Sequence, residues 1–353
     1  MHASQKETPV QSGFYMPAEW RPHAATWLTW PKDPETWPDR VSHVEQIYLE
    51  MIAALTPHEI VNLLVDDEET EQTVRARCPF PSAHNIRFHR IPTVDSWIRD
   101  YGPNFLIDGH GGAAFNDWIF NAWGNKYETL KQDDGIPRVL EPVLQLRRFE
   151  PGIVVEGGAI DVNGAGCVLT TEQCLLNPNR NPQLSREEIE EYLKNYLGVS
   201  KVLWLGEGIV GDDTDGHIDD IARFVAPDTI VCAAEEDPED ANHELLQDNL
   251  ARLESMTDAG GRAFEIVTLP MPGVVGGTST DTRNLDRLPA SYANFYIANN
   301  VVLAPVFGHA NDERAVETLQ RVFPDRRVVP INCEPLVWGM GTIHCVTQQQ
   351  PQI

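Results

Sequence analysis

Asn294-Phe-Tyr-Ile-Ala-Asn-Asn-Val-Val-Leu-Ala-Pro305 reads as two short strands around a turn at Asn299-Asn300, a pair that tolerates the tight backbone of a hairpin. Residues 312–323 follow with helical periodicity, and Arg327-Val-Val-Pro-Ile331 predicts a third strand. Strand, strand, helix, strand is therefore one complete unit, and the same order recurs upstream at intervals of roughly 60 to 80 residues. The amphipathic stretch Val41–Leu55 leads into a strand at Ile60–Val65. Ser185 and Glu188 form a capping box that opens a helix running to Leu197 and stopping at Gly198, before a strand at Lys201–Leu205. Residues 243–256 predict a helix and 264–269 a strand, with Gly260-Gly261 between them. No Gly-x-Gly-x-x-Gly or Gly-x-x-x-x-Gly-Lys-Ser/Thr motif occurs, so nucleotide-binding folds gain no support. The expectation is an α/β chain of repeated units, with no linker or low-complexity segment.

The 353 residues are 42% hydrophobic, with a mean hydropathy of -0.32, as suits a globular chain with a sizeable core. No run of 18 apolar residues is present, so no membrane span is expected. Met1-His-Ala-Ser-Gln-Lys-Glu-Thr-Pro9 lacks the apolar core of a secretory signal, and a cytoplasmic location follows as the expectation. A net charge of -26 repels phosphate backbones, which excludes nucleic acid, and steers small cations inward. Cys78, Cys167, Cys174, Cys232, Cys333 and Cys345 form no Cys-x-x-Cys pair and read as reduced thiols.

Four stretches concentrate chemistry. Trp338-Gly-Met-Gly-Thr-Ile-His-Cys-Val-Thr-Gln-Gln-Gln-Pro351 sets Cys345 after glycines that permit close backbone approach. Cys345 is thereby a candidate nucleophile, although a half-buried cysteine ending a last strand reads the same way. Gly211-Asp-Asp-Thr-Asp-Gly-His-Ile-Asp-Asp220 packs five carboxylates around His217; an extended backbone would put His217 and Asp219 on one face. An EF-hand register fails there, because Gly211 and Ala222 fall where ligands are needed. Glu156 ends an apolar run before Gly157-Gly158. In Asp95-Ser-Trp-Ile-Arg-Asp-Tyr-Gly-Pro103, Arg99 and Asp100 read as an ion pair, leaving Asp95 to face a cation beside Trp97. The loops at Asn177-Pro-Asn-Arg-Asn-Pro182 and Met16-Pro-Ala-Glu-Trp20 either line a pocket or pack ordinarily.

Together Met16-Pro-Ala-Glu-Trp20, Asp95-Ser-Trp-Ile-Arg-Asp100, Glu156-Gly-Gly158, Asn179-Arg-Asn-Pro182, Asp213-Thr-Asp-Gly-His-Ile-Asp219 and Ile343-His-Cys-Val-Thr-Gln-Gln-Gln-Pro351 resemble the agmatine deiminase family of guanidine-modifying enzymes. That resemblance implies a pentein fold, an α/β propeller of five pseudo-symmetric units, as a single catalytic domain over 1–353. It implies Cys345 as nucleophile, His217 as general acid/base and Glu156 as the group orienting it. It further implies Asp95 and Asp219 as carboxylates clamping a guanidinium, and Asp213 as a substrate contact. The implied reaction converts agmatine to N-carbamoylputrescine and ammonia through an amidino-cysteine intermediate, with no metal or organic cofactor. The implied partner is a small cationic guanidino substrate, with no membrane and with self-association left open.

Two departures stand out. Gly339-Met-Gly-Thr342 replaces the family's frequent Gly-Gly-Gly-Asn, and Asp215 and Asp220 stand where asparagine is frequent. The rival activity is a bacterial-type peptidylarginine deiminase producing citrulline. Free arginine fits less well, since no Arg or Lys in the motifs is evident for its carboxylate. A non-catalytic polyamine- or guanidinium-binding protein is the alternative of another class, and it would not need Cys345, His217 and Glu156 together.

Overall fold

The computed structural model describes residues 7–276 and 287–353, so residues 1–6 of the N-terminal stretch read above lie outside the described residues. Its strands are β1 (His23–Thr29), β2 (Ile60–Val65), β3 (Ile86–Arg90), β4 (Asn104–Ile107), β5 (Ala113–Asn116), β6 (Arg147–Phe149), β7 (Asp161–Val162) and β8 (Cys167–Thr171). They continue with β9 (Lys201–Leu205), β10 (Ala222–Ala226), β11 (Thr229–Ala234), β12 (Glu265–Pro270), β13 (Tyr296–Ile297), β14 (Val301–Val306), β15 (Arg327–Asn332) and β16 (Gln348–Pro351).

These strands make five small sheets: β4-β5-β6, β7-β8-β9, β10-β11-β12, β13-β14-β15 and β16-β1-β2-β3. In each, the first strand runs antiparallel to the second, and the second parallel to the third. A parallel pair needs a crossover connection, which explains the helix between the second and third strand of each unit. The unit quoted first supplies one such helix at Asp312–Val322. The last sheet borrows β16 from the C-terminus to complete a unit begun by β1, so the ring closes between the two ends of the chain. This is the five-fold pentein plan.

Local sequence accounts for the elements. Val41–Leu55 buries Val44, Ile47, Tyr48, Met51, Ile52 and Leu55, a stripe at helical spacing. Arg186–Leu197 carries the expected capping box of Ser185 and Glu188, and Gly198 closes it in a left-handed conformation. The turn at Asn299-Asn300 joins β13 to β14, with Asn300 at φ 62°.

The first strands surround the central axis: β16 touches β4, and β10 touches β7. Immediately before each first strand lies a short turn. These are Ile98–Tyr101, Gly157–Ala159, Ile218–Asp220, residues 291–294 and residues 343–346. All five face the same end of the axis, as their mutual contacts below demonstrate. Two expectations change here. Cys345 sits in the turn before β16 and not within a strand, and His217 caps a 3-10 turn that contains Asp219, so the two do not share an extended segment. In both cases the chain must bend from the ring's rim into a first strand, and the bend overrides the local β pattern.

Candidate active site

Each of the five turns contributes a polar side chain to one buried cluster: Asp100, Glu156, His217 with Asp219, Asn294, and Cys345. Cys345 is 6% exposed, His217 1% and Asp219 0%. The Cys345 Sγ lies 3.8 Å from Asp219 Oδ2 and 3.2 Å from Asn294 Nδ2. The Asn294 Oδ1 accepts from Thr342 Oγ1 at 2.6 Å and from the His344 N–H at 3.0 Å, which turns the amide NH2 toward sulfur. Glycine is required on both sides of the cluster. A Cβ on Gly158 would stand 2.6 Å from His217 Nδ1, 2.9 Å from Asp100 Oδ1 and 3.1 Å from Asp219 Oδ2, and one on Gly341 would stand 2.7 Å from the Trp97 ring and 3.1 Å from Cys345 Sγ.

The Asp100 carboxylate lies 3.8 Å from His217 Nδ1, and accepts from the Gly158 N–H and the Trp123 Nε1–H, each at 2.9 Å. The Arg99–Asp100 ion pair expected from sequence does not form. Successive side chains on the helical turn Ile98–Tyr101 diverge by about 100°. Arg99 therefore turns to the axis, where it donates to Gln349 Oε1 at 2.7 Å and to the His344 carbonyl at 3.3 Å and lies 3.7 Å from Glu19.

Glu156 is fully buried. Its Oε1 accepts from Arg180 Nε at 2.7 Å, while Oε2 has no partner. Glu156, His217 and the Cys174 thiol gather within 4.8 Å of one another, the arrangement nearest to a metal trio among the described residues. Its donor chemistry suits proton transfer better. Glu156 already neutralises Arg180, and a protonated imidazole offers no lone pair to an ion.

Burial works against charge on His217, yet Asp100, Cys174 and Asp219 beside it hold its pKa well above the usual histidine value. The Cys345 thiol is pushed well above the ordinary range by burial and by the nearby carboxylates of Asp219, Asp220 and Asp100. These shifts favour a neutral thiol beside an imidazolium, with the buried carboxylates of Asp100 and Asp219 next to both.

A cavity of about 380 Å³ leads to this cluster. Asp95, Trp97, Asp100, Trp123 and Cys345 form its buried end; Asp33, Glu35, Tyr127, Asp213 and Met340 lie toward solvent. Asp95 joins the wall as a carboxylate already engaged: Oδ2 accepts from Thr36 Oγ1 (2.7 Å) and Trp97 Nε1 (3.0 Å), and Oδ1 from the Ser96 N–H (2.7 Å). Burial lifts its pKa to about 6. Asp213 also lines the cavity, held by Tyr127 Oη at 2.5 Å and by Lys126 at 3.3 Å. His217, Asp219 and Glu156 stand behind this wall, at the converging turns.

The departures separate into two kinds. Asp215 packs its loop by binding Arg180 (2.6 Å), Asn179 (2.9 Å) and Lys126 (3.0 Å). Asp220 is buried against Asp219, and burial and that neighbour push its pKa well above the carboxylate range. Met340 takes a left-handed φ of 73° and offers its side chain to the cavity mouth, where a glycine would offer none. Of the two loops left open by sequence, Asn177–Pro182 supplies Arg180 to Glu156, and Met16–Trp20 supplies Glu19 to the axis.

Residues 15–351 match the Porphyromonas-type peptidyl-arginine deiminase family. The chain belongs to that family. Among its relatives is the agmatine deiminase of Stutzerimonas stutzeri, 39% identical over 361 residues that cover 98% of this chain and 97% of the relative. The solved structure of the agmatine deiminase of Enterococcus faecalis is 38% identical, with 98% of each chain covered and a TM-score of 0.92. A cysteine-to-serine variant of the C. jejuni agmatine deiminase, solved with substrate bound, is 29% identical, with 96% of each chain covered and a TM-score of 0.85. The likeness to agmatine deiminases read from scattered motifs thus extends over nearly the whole chain. Among the described residues no helix is long and apolar enough to cross a membrane.

Proposed function

We propose that this family member is an agmatine deiminase, hydrolysing the guanidinium of agmatine to N-carbamoylputrescine and ammonia. The observation that carries the reading is the convergence of one thiol, one imidazole and buried carboxylates, with Asp219 Oδ1 and Glu156 Oε2 lacking a partner, at the closed end of an acidic cavity. A guanidinium is planar and permanently charged, and carboxylates in its plane bind it through paired, charge-assisted hydrogen bonds. Asp219, whose Oδ1 is buried without a partner, and Asp100, beside His217, are the carboxylates best suited to that fork. Asp95, expected in this role from sequence, also lines the buried end of the cavity and remains part of the proposed clamp, its carboxylate held in place by Thr36, Trp97 and the Ser96 N–H.

Outer carboxylates favour agmatine over arginine. Among the described residues, Asp33 and Glu35 line the cavity without an ion-pair partner, and no Arg or Lys lines it. They suit the distal ammonium at the end of a butyl chain, with Asp213 as a third, partly neutralised contact, and they would repel the carboxylate of free arginine.

Chemistry follows from the protonation states. Entry of the substrate cation compensates Asp219 and Asp100 and lowers the cost of ionising Cys345, whose proton passes to solvent. The thiolate attacks the guanidinium carbon, giving a tetrahedral adduct. His217 donates its proton to the departing nitrogen, the C–N bond breaks and ammonia leaves. The carbon then remains bonded to sulfur as an S-alkylthiouronium. Neutral His217, with the Glu156 carboxylate within 4.8 Å, takes a proton from water as its oxygen attacks that carbon. Collapse expels the thiolate, the hydroxyl proton passes to solvent as the C=O bond forms, and the ureido product is released. The Asn294 amide donates to sulfur whenever it is anionic, including when it leaves.

The test is ammonia release with agmatine, free arginine and a blocked peptidyl-arginine. Turnover should be strongest on agmatine. Preference for the peptide would move the assignment to a peptidylarginine deiminase, and inactivity on all three would sink the deiminase reading.

A further inference from the structure

His344 is the residue next to the nucleophile, and the chemistry above leaves it without a task. Its ring is 2% exposed and lies between two carboxylates, with Nδ1 2.7 Å from Asp219 Oδ2 and Nε2 2.8 Å from Glu19 Oε2. Two ionised carboxylates can only accept, so this geometry calls for a ring that donates from both nitrogens. Its backbone is equally constrained. The His344 N–H donates to the Asn294 carbonyl and side-chain oxygens at 3.1 and 3.0 Å, and its carbonyl accepts from Arg99 Nε at 3.3 Å.

We propose that His344, braced by Glu19, is the positioning residue that aims the free oxygen of Asp219 at the substrate and fixes its distance from Cys345. The proposal rests on the reading of Asp219 as a guanidinium clamp. One oxygen of Asp219 is consumed by His344, and the other, Oδ1, is buried with nothing to accept from. A carboxylate pinned at Oδ2 cannot rotate, so Oδ1 holds a fixed direction. The pin is joined by one peptide bond to Cys345, whose Sγ lies 3.8 Å from the pinned oxygen. One rigid side chain therefore sets the spacing between clamp and nucleophile.

His344 also settles a charge problem. On the cavity side, Asp219 faces Asp100, Asp220, His217 and Cys345, a crowd in which a buried carboxylate would take up a proton. Burial does press that way, but the hydrogen bond and charge of His344 win and hold the Asp219 pKa below the usual value. On the axis side, Glu19 could draw the imidazolium away from Asp219. It is instead shared among Arg223 at 2.8 Å, Arg99 at 3.7 Å and the Ile297 N–H at 2.8 Å, and Arg223 is further paired with Asp161. Arg223 and His344 outweigh burial and keep Glu19 ionised. A neutral side chain at 344 would leave Asp219 to its acidic neighbours.

Two measurements test this on the full chain. In the Cys345→Ser chain, 15N-histidine NMR should find the His344 ring protonated at both nitrogens at neutral pH; a singly protonated ring there would overturn the proposal. In His344→Gln, the pKa of Asp219 should rise. Because the clamp works only when ionised, the acid limb of kcat/KM should move up by about one pH unit or more. KM at the acid end should rise about tenfold, and recover toward the wild-type value as pH increases. An acid limb that stays in place, or a loss that is uniform across pH and confined to kcat, would also overturn it. Should the wild-type chain hydrolyse no guanidino compound, the functional reading falls on its own, since the NMR result does not depend on turnover.

Discussion

Replacing Asp219 with asparagine should impair the enzyme and yet make its nucleophile more reactive toward a simple alkylating agent. The Cys345 Sγ and Asp219 Oδ2 are 3.8 Å apart, and Asp219 stands second only to burial in keeping the thiol protonated. At an effective dielectric constant of about 20, a unit charge at that distance is worth about 4 kcal/mol. Losing that repulsion lowers the thiol pKa, and the same energy corresponds to about a thousandfold more thiolate at neutral pH. A less basic thiolate is a weaker nucleophile, with a Brønsted coefficient of about 0.5, so the net gain in alkylation rate is about thirtyfold. Asparagine matches the shape of aspartate, and its carbonyl can still accept from His344. The assay is the rate of Cys345 modification by iodoacetamide, a neutral reagent, followed by mass spectrometry on both proteins at neutral pH. Turnover of agmatine should fall over the same substitution, by about 3–5 kcal/mol if a buried charge pair with the substrate is broken. A folded Asp219→Asn protein that alkylates no faster than wild type would refute the electrostatic account of the resting thiol.

Other consequences are open to direct measurement. Gly158→Ala forces a methyl group to within 2.6 Å of His217 Nδ1, so kcat should drop at least tenfold and the melting temperature should fall as well; unchanged kcat would show that the three turns can move apart freely. The elevated pKa of His217 fixes a sign for pH dependence: the leaving nitrogen needs the imidazolium, so kcat should persist into alkaline pH and fall only as pH rises through that pKa. Asp100→Asn removes the largest cause raising that pKa and should move the basic limb of kcat to lower pH; a basic limb that does not move would remove Asp100 from the protonation of His217.

Much of the scaffold could be read from sequence because each element announces itself locally. The stripe of Val44, Ile47, Met51 and Leu55, the Ser185–Glu188 box and the Asn299-Asn300 turn depend only on neighbours a few residues away. Cys345, His217, Glu156, Asp219 and Asp213 could be nominated by residue type and by family resemblance. What local pattern could not convey is direction. Arg99 and Asp100 are adjacent charges of opposite sign, but the turn sends one to the axis and the other to the cavity. Asn294 looked like the start of a hairpin, and only the approach of the turns before β13 and β16 brings its amide to sulfur. Glu19 and His344 are separated by 325 residues and meet because the ring closes between the chain's ends. The glycines were the available signal: Gly157-Gly158 and Gly341 mark where backbones and side chains from different units crowd together.

Whether catalysis passes through sulfur is the central question, and rapid-quench mass spectrometry of the enzyme reacting with agmatine answers it most directly, with a His217→Gln variant to slow hydrolysis of the intermediate. The account predicts a modified peptide bearing Cys345, heavier by the mass of agmatine less ammonia, formed and consumed at rates compatible with turnover. Turnover of agmatine with Cys345 unmodified throughout, or a Cys345→Ser protein with full activity, would contradict it.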